Sequence, residues 1–279
     1  MDLPDAWGVL PPGLTDTDES YSLAISADGG ASIVANQYSG VMRGISSFAH
    51  LTKWSATNAS YYVAFTPITI QDGPRYPYRG LMLDTSRNFY SVDSIMKILR
   101  SMAASKFNVL HWHIVDDESF PMELRHFPTV TQNGAFRKSE VYSVSTIKQI
   151  VNYAMKLAIR VVPEFDNPGH TRSVGLDPYF RDAVLCYGDT NDYEVPDAYV
   201  INGKPHTSTL DPTNEKTYEL LSGVFSDMND LFPEQMIHLG GDEVDESCFD
   251  ENPNIQIFMR YHQVSNYSAL VVMHITKAR

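Results

Sequence analysis

Cysteine is scarce in this chain, with two in 279 residues, and neither Cys186 nor Cys248 stands in a C-x-x-C spacing. That argues against a thiolate metal cluster and leaves a disulfide and two isolated thiols both open. Long apolar runs are missing as well. No stretch reaches the roughly 18 residues that a membrane span requires, and residues 1–5 have neither the basic region nor the apolar core of a secretory leader. The expectation is an intracellular protein, or one whose native beginning is absent. Positive charge is also in deficit: 21 Lys and Arg against 34 Asp and Glu leave a net charge of -13. A nucleic-acid backbone and an anionic membrane surface are therefore poor partners, and a neutral or cationic ligand fits better. What is present, 43% hydrophobic and 20% charged residues, suffices for one sizeable core and a smaller companion domain.

Residues 1–19, rich in Pro, Gly and Asp, read as an irregular lead-in. Residues 20–73 read as a small α+β domain: strands at 21–26 and 31–35 around Ala27-Asp28-Gly29-Gly30, a helix carrying Val41, Ile45, Phe48 and Leu51, then strand character at 61–65 and 68–70. The stretch from Asp72 to Pro77 punctuates the chain. After it the rhythm becomes strand, helix, strand, helix, with crossovers of the length parallel strands need. Buried strands are expected near 81–84, 108–114, 159–164 and 236–240, and the long segment 167–211 reads as an oversized loop. Helices lie between them, one with Val92, Ile95, Leu99 and Met102, one with Val144, Ile147, Val151, Ala154 and Met155, and one with Tyr218, Leu221, Phe225 and Met228 facing inward. Polar residues follow each strand, which favours part of a (β/α)8 barrel over a doubly wound sheet with its single switch point.

Those strand ends carry the chemistry. Asp84 and Arg87 follow the first; His111-Trp112-His113 leads to Asp116, Asp117 and Glu118 after the second; Glu164, Asp166 and His170 follow the third; Gly240-Gly241-Asp242-Glu243 follows the fourth. Two adjacent carboxylates beyond a glycine pair, joined by further Asp and His, suit glycoside hydrolysis, which needs a proton donor and a second group controlling the anomeric centre. A metal-dependent hydrolase is the competing use. His111, His113, Asp116, His170 and Asp242 could supply nitrogen and oxygen ligands, but H-W-H followed by D-D has no characteristic ligand frame.

The segments Arg79–Arg87, Asn108–Asp117, Pro163–His170 and His238–Val244, in this order, closely resemble the β-N-acetylhexosaminidases of glycoside hydrolase family 20. The resemblance spans about residues 20–260 and implies an α/β fold, an incomplete (β/α)8 TIM-type barrel at 78–260 preceded by the small α+β domain. It implies hydrolysis of terminal non-reducing N-acetyl-D-hexosamine from β-N-acetylhexosaminides, with retention and with the substrate's own 2-acetamido carbonyl as nucleophile. Glu243 would be the acid and base, Asp242 would orient the acetamido group, and Asp116 and His170 would support the acid. Arg87 would grip sugar hydroxyls through a fixed donor fork. His113 and Asp117 are candidates for substrate binding, Trp112 for the core, and Asp84, Glu164 and Asp166 for braces of strand ends and loops. The resemblance implies no cofactor and no metal.

The partner it implies is an N-acetylhexosamine-containing oligosaccharide or glycoconjugate, with a homodimer allowed in a complete form. Family members carry a cysteine pair here, so a Cys186–Cys248 disulfide and a lysosomal or extracellular setting are implied. Asn58 and Asn266, in N-x-S sequons, would then be glycosylation sites. The family barrel needs further strands after the fourth, whereas residues 261–279 read as a divergent tail with a strand-like run at 269–273. The expectation is a fragment holding about the first half of the catalytic barrel. The alternative is a catalytically incomplete chain that acts at most as a carbohydrate-binding or regulatory protein.

Overall fold

A computed structural model of the chain describes residues 16–187, 199–201, 204–206, 208–234, 236–250 and 252–278. Residues 1–15 of the expected lead-in and 188–198 of the expected loop lie outside them. The chain divides into two units, one of Met1–Leu81, Ser91–Leu110 and Gln149–Val161, the other of Met82–Tyr90, His111–Lys148 and Val162–Arg279.

In the first unit, strands β1 (Tyr21–Ile25), β2 (Ala31–Val34) and β5 (Ile68–Asp72) form an antiparallel sheet in the order β2-β1-β5. Leu23 of the central strand faces Ile33 on one side and Ile70 on the other. Alternation puts Tyr21, Leu23 and Ile25 on the buried face. Helix α1 (Tyr38–Leu51) covers this sheet, but it turns inward the face of Ser39, Gly40, Arg43 and Gly44, and leaves Ile45 exposed. Arg43 of this helix and Arg79, which precedes residue 80, meet the buried carboxylate of Glu19 at 2.6 and 2.7 Å. Strands β3 (Thr52–Ser55) and β4 (Ser60–Val63) make a hairpin, of which the sequence pattern suggested only the second arm.

Strands β6 (Gly80–Asp84), β7 (Val109–Val115) and β8 (Arg160–Phe165) form a parallel sheet in the order β6-β7-β8, flanked by helices, the core of a partial (β/α) barrel. The central strand is buried on both faces, with Val109, Leu110, Trp112 and Ile114 inaccessible. Strand β6 corrects the expectation of a fully buried first strand. It lies at the edge of this sheet, and only Leu83 is buried while Leu81 and Met82 are exposed. The expected fourth strand at 236–240 is reduced to a parallel bridge from His238 to Glu164, because Gly240 and Gly241 take φ of +65° and +108° and leave extended geometry.

The helices between and after the strands are α2 (Val92–Ala104), α3 (Pro128–Gly134), α4 (Val144–Lys156), α5 (Arg172–Gly175), α6 (Glu215–Leu231), α7 (Ser247–Asp250), α8 (Pro253–His262) and α9 (Tyr267–Ala278). Ser91 caps α2 by accepting from the Ser94 N–H, and Ile95, Leu99 and Met102 form its buried stripe. Asn214 caps α6, whose inward face centres on Leu220, Leu221, Val224 and Met228.

The tail also corrects an expectation: the run at 269–273 is helical, within α9. Asn266 Oδ1 accepts from the Ala269 N–H at 2.8 Å and starts the helix. Leu270 and His274, one turn apart, are fully buried on the same face. Leu270 joins Leu185, Cys248, Phe249 and Ile255 in a core cluster. Cys186 and Cys248 are joined in a disulfide across 62 residues beside that cluster. Among the described residues no helix is long and apolar enough to cross a membrane.

Candidate active site

The site begins where β6 ends. Asp84 Oδ1 accepts from the N–H groups of Ser86 and Arg87 at 2.9 and 3.1 Å, turning the chain so that the Arg87 guanidinium comes back over the strand end. There it meets three carboxylates: Asp84 at 2.9 Å, Asp116 at 3.0 Å and Glu118 at 3.0 Å. Its side chain is 37% exposed, so the fork of donors is held in place with one edge toward solvent.

On β7, residues two apart share a face, and H-W-H therefore sends its two histidines one way and its tryptophan the other. Trp112 is fully buried and donates Nε1–H to Thr85 Oγ1 at 2.8 Å, which makes it core. His111 Nε2 and His113 Nδ1 both reach Glu164 Oε2 on β8, at 2.5 and 2.8 Å. His113 Nε2 also pairs with Asp116 Oδ2. Asp116 is inaccessible and fully engaged, because its other oxygen accepts from the Asp117 N–H at 2.6 Å and from His170 Nδ1 at 3.0 Å.

His170 follows β8 in a left-handed conformation, φ +57°, which is uncommon outside glycine and aims its ring between two acids. Nδ1 faces Asp116, and Nε2 lies 3.3 Å from Glu243 Oε2. Asp116, His170 and Glu243 thus form one line running from a buried carboxylate to a side chain that is 75% exposed. Asp166 holds the loop that bears Glu243: its Oδ1 accepts from the Gly241 N–H at 2.6 Å and lies 3.4 Å from the Asp242 nitrogen. A Cβ at Gly240 would overlap the Asp166 carboxylate, so this approach needs glycine.

Burial and pairing set the charges. Burial alone would lower His170, but the hydrogen bond to Asp116 and the nearby charges of Asp116, Asp117 and Asp166 outweigh it and push the ring up to about 9. His113 behaves likewise, raised to about 10 by Asp116 and Glu164 against burial. Burial would raise Asp116, but the hydrogen bonds from His113 and His170 and the charges of His170 and Arg87 hold it well below the usual carboxylate range. Two acids move the other way. Burial lifts Asp117 to about 7, against the Arg172 N–H that it accepts, and lifts Asp166 to about 6, against the Gly241 N–H. Near neutral pH Asp116 is therefore a carboxylate and His170 an imidazolium.

Of the residues singled out from the sequence, Arg87, His113, Asp116, Asp117, His170 and Glu243 come together, and Asp242 lies exposed beside Glu243. His113 and Asp117 are each only 6% accessible; both His113 nitrogens face carboxylates, and Asp117 Oδ1 accepts from the Arg172 N–H at 2.7 Å. Asn58 and Asn266 are exposed. One participant went unrecognised: Glu164, read as a brace, collects three histidines, since Oε1 also lies 2.9 Å from His238 Nδ1. The i, i+2 spacing of His111 and His113 was the available signal. Among the described residues, Asp116, Asp117 and His170 could also be considered as metal ligands. The Arg87 cation 3.0 Å from Asp116 opposes a second positive charge there.

Residues 76–279 match the catalytic domain of glycosyl hydrolase family 20. The chain is 40% identical over 247 residues to the beta-hexosaminidase subunit beta of Homo sapiens, covering 88% of this chain and 41% of that one. It is 35% identical over 274 residues to beta-hexosaminidase subunit B1 of Dictyostelium discoideum, covering 90% and 46%. Among solved structures, the Flavobacterium johnsoniae chitobiase superposes with a TM-score of 0.80 at 34% identity, over 93% of this chain and 37% of that one. The exo beta-N-acetylglucosaminidase of Vibrio harveyi gives 0.78 at 24% identity, over 97% and 44%, a likeness of fold. The chain spans less than half the length of each of these relatives.

Proposed function

The chain belongs to glycosyl hydrolase family 20, and from that premise we propose that the protein hydrolyses terminal non-reducing N-acetyl-D-hexosamine from β-N-acetylhexosaminides with retention, using the substrate's acetamido group. Glu243 gives its proton to the glycosidic oxygen as the C1–O bond breaks, and the 2-acetamido oxygen forms the new bond to C1. Asp242 accepts from the acetamido N–H and balances the cationic ring that results. Water then adds to C1, its proton passes to Glu243, and the acetamide is regenerated. Arg87 turns its exposed edge to sugar hydroxyls, while His113 and Asp117 act from beneath, His113 on Asp116 and Asp117 on the backbone at Arg172.

The observation that carries this reading is the line from Asp116 through His170 to Glu243, at 3.0 and 3.3 Å. A histidine held by a buried carboxylate gives the acid a fixed partner in both of its protonation states. The disulfide and the two exposed sequons support a lysosomal or extracellular setting, where such a bond persists. One observation favours a second reading, a carbohydrate-binding or regulatory protein without turnover. Glu243 is 75% exposed, in water rather than in the water-excluded setting that strengthens acid–base groups.

The two readings separate by assay. A form spanning the full length of the relatives should hydrolyse a 4-nitrophenyl N-acetyl-β-D-glucosaminide, release the β-anomer first by proton NMR, and leave the corresponding plain glucoside intact. Equal cleavage of the plain glucoside, or initial release of the α-anomer, would remove the acetamido mechanism. Saturable sugar binding with no turnover would establish the second reading.

A further inference from the structure

Below the Asp116–His170–Glu243 line lies a set of side chains that the proposed reaction does not use. His111 on β7, Glu164 on β8 and His238 on the bridge beside β8 present one donor each, and these donor atoms all lie within 4.8 Å of one another. The two imidazoles flank the two oxygens of one carboxylate: His111 Nε2 is 2.5 Å from Oε2 and His238 Nδ1 is 2.9 Å from Oε1. Their rings are tilted by 32° to one another, with centroids 4.5 Å apart. We propose that His111, Glu164 and His238 form a binding site for a divalent transition cation of the zinc class, in which the His238 Nδ1 lone pair, now accepting from the Gly240 N–H at 3.1 Å, turns to the metal.

Three features support it. Two imidazole nitrogens and one carboxylate are the donor set that zinc takes when a fourth position is left to water. Each ligand stands on a strand or a strand bridge rather than on a free loop, so binding orders little. His238 is half exposed and His111 partly so, which gives the ion a way in, whereas Glu164 is buried and anchors it. Only modest opening is required, because ligands about 2.0–2.2 Å from a tetrahedral ion stand a little over 3 Å apart.

The site is joined to the proposed acid. Glu164 Oε2 also accepts from His113 Nδ1, whose other nitrogen holds Asp116, which holds His170. A cation that draws the Glu164 carboxylate toward His238 pulls on the far end of that chain, so the site would be inhibitory or regulatory and its occupancy would not be required for turnover.

The test uses the 279-residue chain and Co2+ and Zn2+ alone. Titration with Co2+ should give a saturable visible band of four-coordinate intensity with one equivalent bound, displaced by one equivalent of Zn2+. His238→Gln should weaken Zn2+ binding at least about 10-fold by calorimetry, since one of three protein ligands is lost. His170→Gln, which removes a ligand from the neighbouring Asp116, Asp117 and His170 group, should leave the affinity unchanged. Weak six-coordinate absorption only, equal affinity in His238→Gln, or loss of binding in His170→Gln but not in His238→Gln each overturns the assignment. Circular dichroism matching the parent identifies the variants as folded.

Discussion

Glu19 in the first unit and Asp116 in the second are both buried carboxylates ringed by cations, and they differ in where their partners end. Glu19 is met by Arg43, Arg79 and the Asn108 amide. Arg43 then donates to the carbonyl of Ala158, and Arg79 to those of Lys106 and Tyr76. Every path stops on backbone. Asp116 is met by His113, His170 and Arg87, and its paths continue to Glu164, to Glu243 and to the solvent edge of Arg87. The first cluster is built on arginine, which keeps its charge at every relevant pH, and the second leans on histidine, which does not. A buried charge whose network closes on carbonyls fixes the chain in place. One whose network ends on titratable side chains can move a proton.

The sharpest way to break this contrast is to cut the open end. In a form spanning the relatives' full length, Glu243→Gln should lower turnover of an unactivated N-acetylhexosaminide at least about 100-fold, the lower range for loss of a general acid. Its urea midpoint should stay at the parent value, because the side chain is three-quarters exposed. Undiminished turnover would detach Glu243 from the reaction. Cutting the closed cluster should do the reverse. Glu19→Gln leaves two arginines without their buried counter-charge and should cost about 3 kcal/mol or more in urea unfolding, with unchanged activity per folded molecule. A variant as stable as the parent would show that this cluster fixes nothing.

The smallest effect should fall on the histidine itself. Asp116→Asn removes the main partner that raises His170, so the ring, about 9 in the parent, should titrate at least about one unit lower by NMR of its C2–H. The sign follows from a folded value above the ordinary 6.5: the ring's contribution to stability is full below pH 6.5 and is lost as pH rises through about 9. Parent stability should therefore fall across that window more steeply than that of the variant. An unshifted ring would mean that Asp116 does not govern it.

Much of this was legible in the sequence because periodicity and strand-end chemistry agree. The stripe of Ile95, Leu99 and Met102 lies where helical spacing put it, and the clusters after residues 84, 115 and 165 follow parallel strands. What failed to read was whatever tertiary packing decides. Ala269-Leu270-Val271-Val272-Met273 has the β-branched content of a strand, yet burying Leu270 and His274 on one face makes it a helix. His274 sits there with its ionisation lowered to about 4 by burial, and its Nε2 is 2.8 Å from Asn167 Oδ1. No local pattern announces that pairing across 107 residues. The fourth strand is shorter than its apolar run suggested: His238 and Leu239 pair in parallel with residues 163–167, and the two glycines that follow bend the backbone away.

Asn266 both caps α9 and stands in an N-x-S sequon. Its Oδ1 caps α9 through the Ala269 N–H, while a glycan on its sequon would attach through Nδ2 and leave Oδ1 where it is. Sugar and cap are thus chemically compatible, but the usual way of deleting a glycan, replacing the asparagine, would also remove the cap, at a cost on the order of 1 kcal/mol. A mobility shift on a gel would then arrive together with a frayed helix and a loosened Leu270, and the two would be mistaken for one effect. Ser268, exposed and lying 3.4 Å from Glu246, is the position at which the sequon can be erased while the Asn266 cap stays intact.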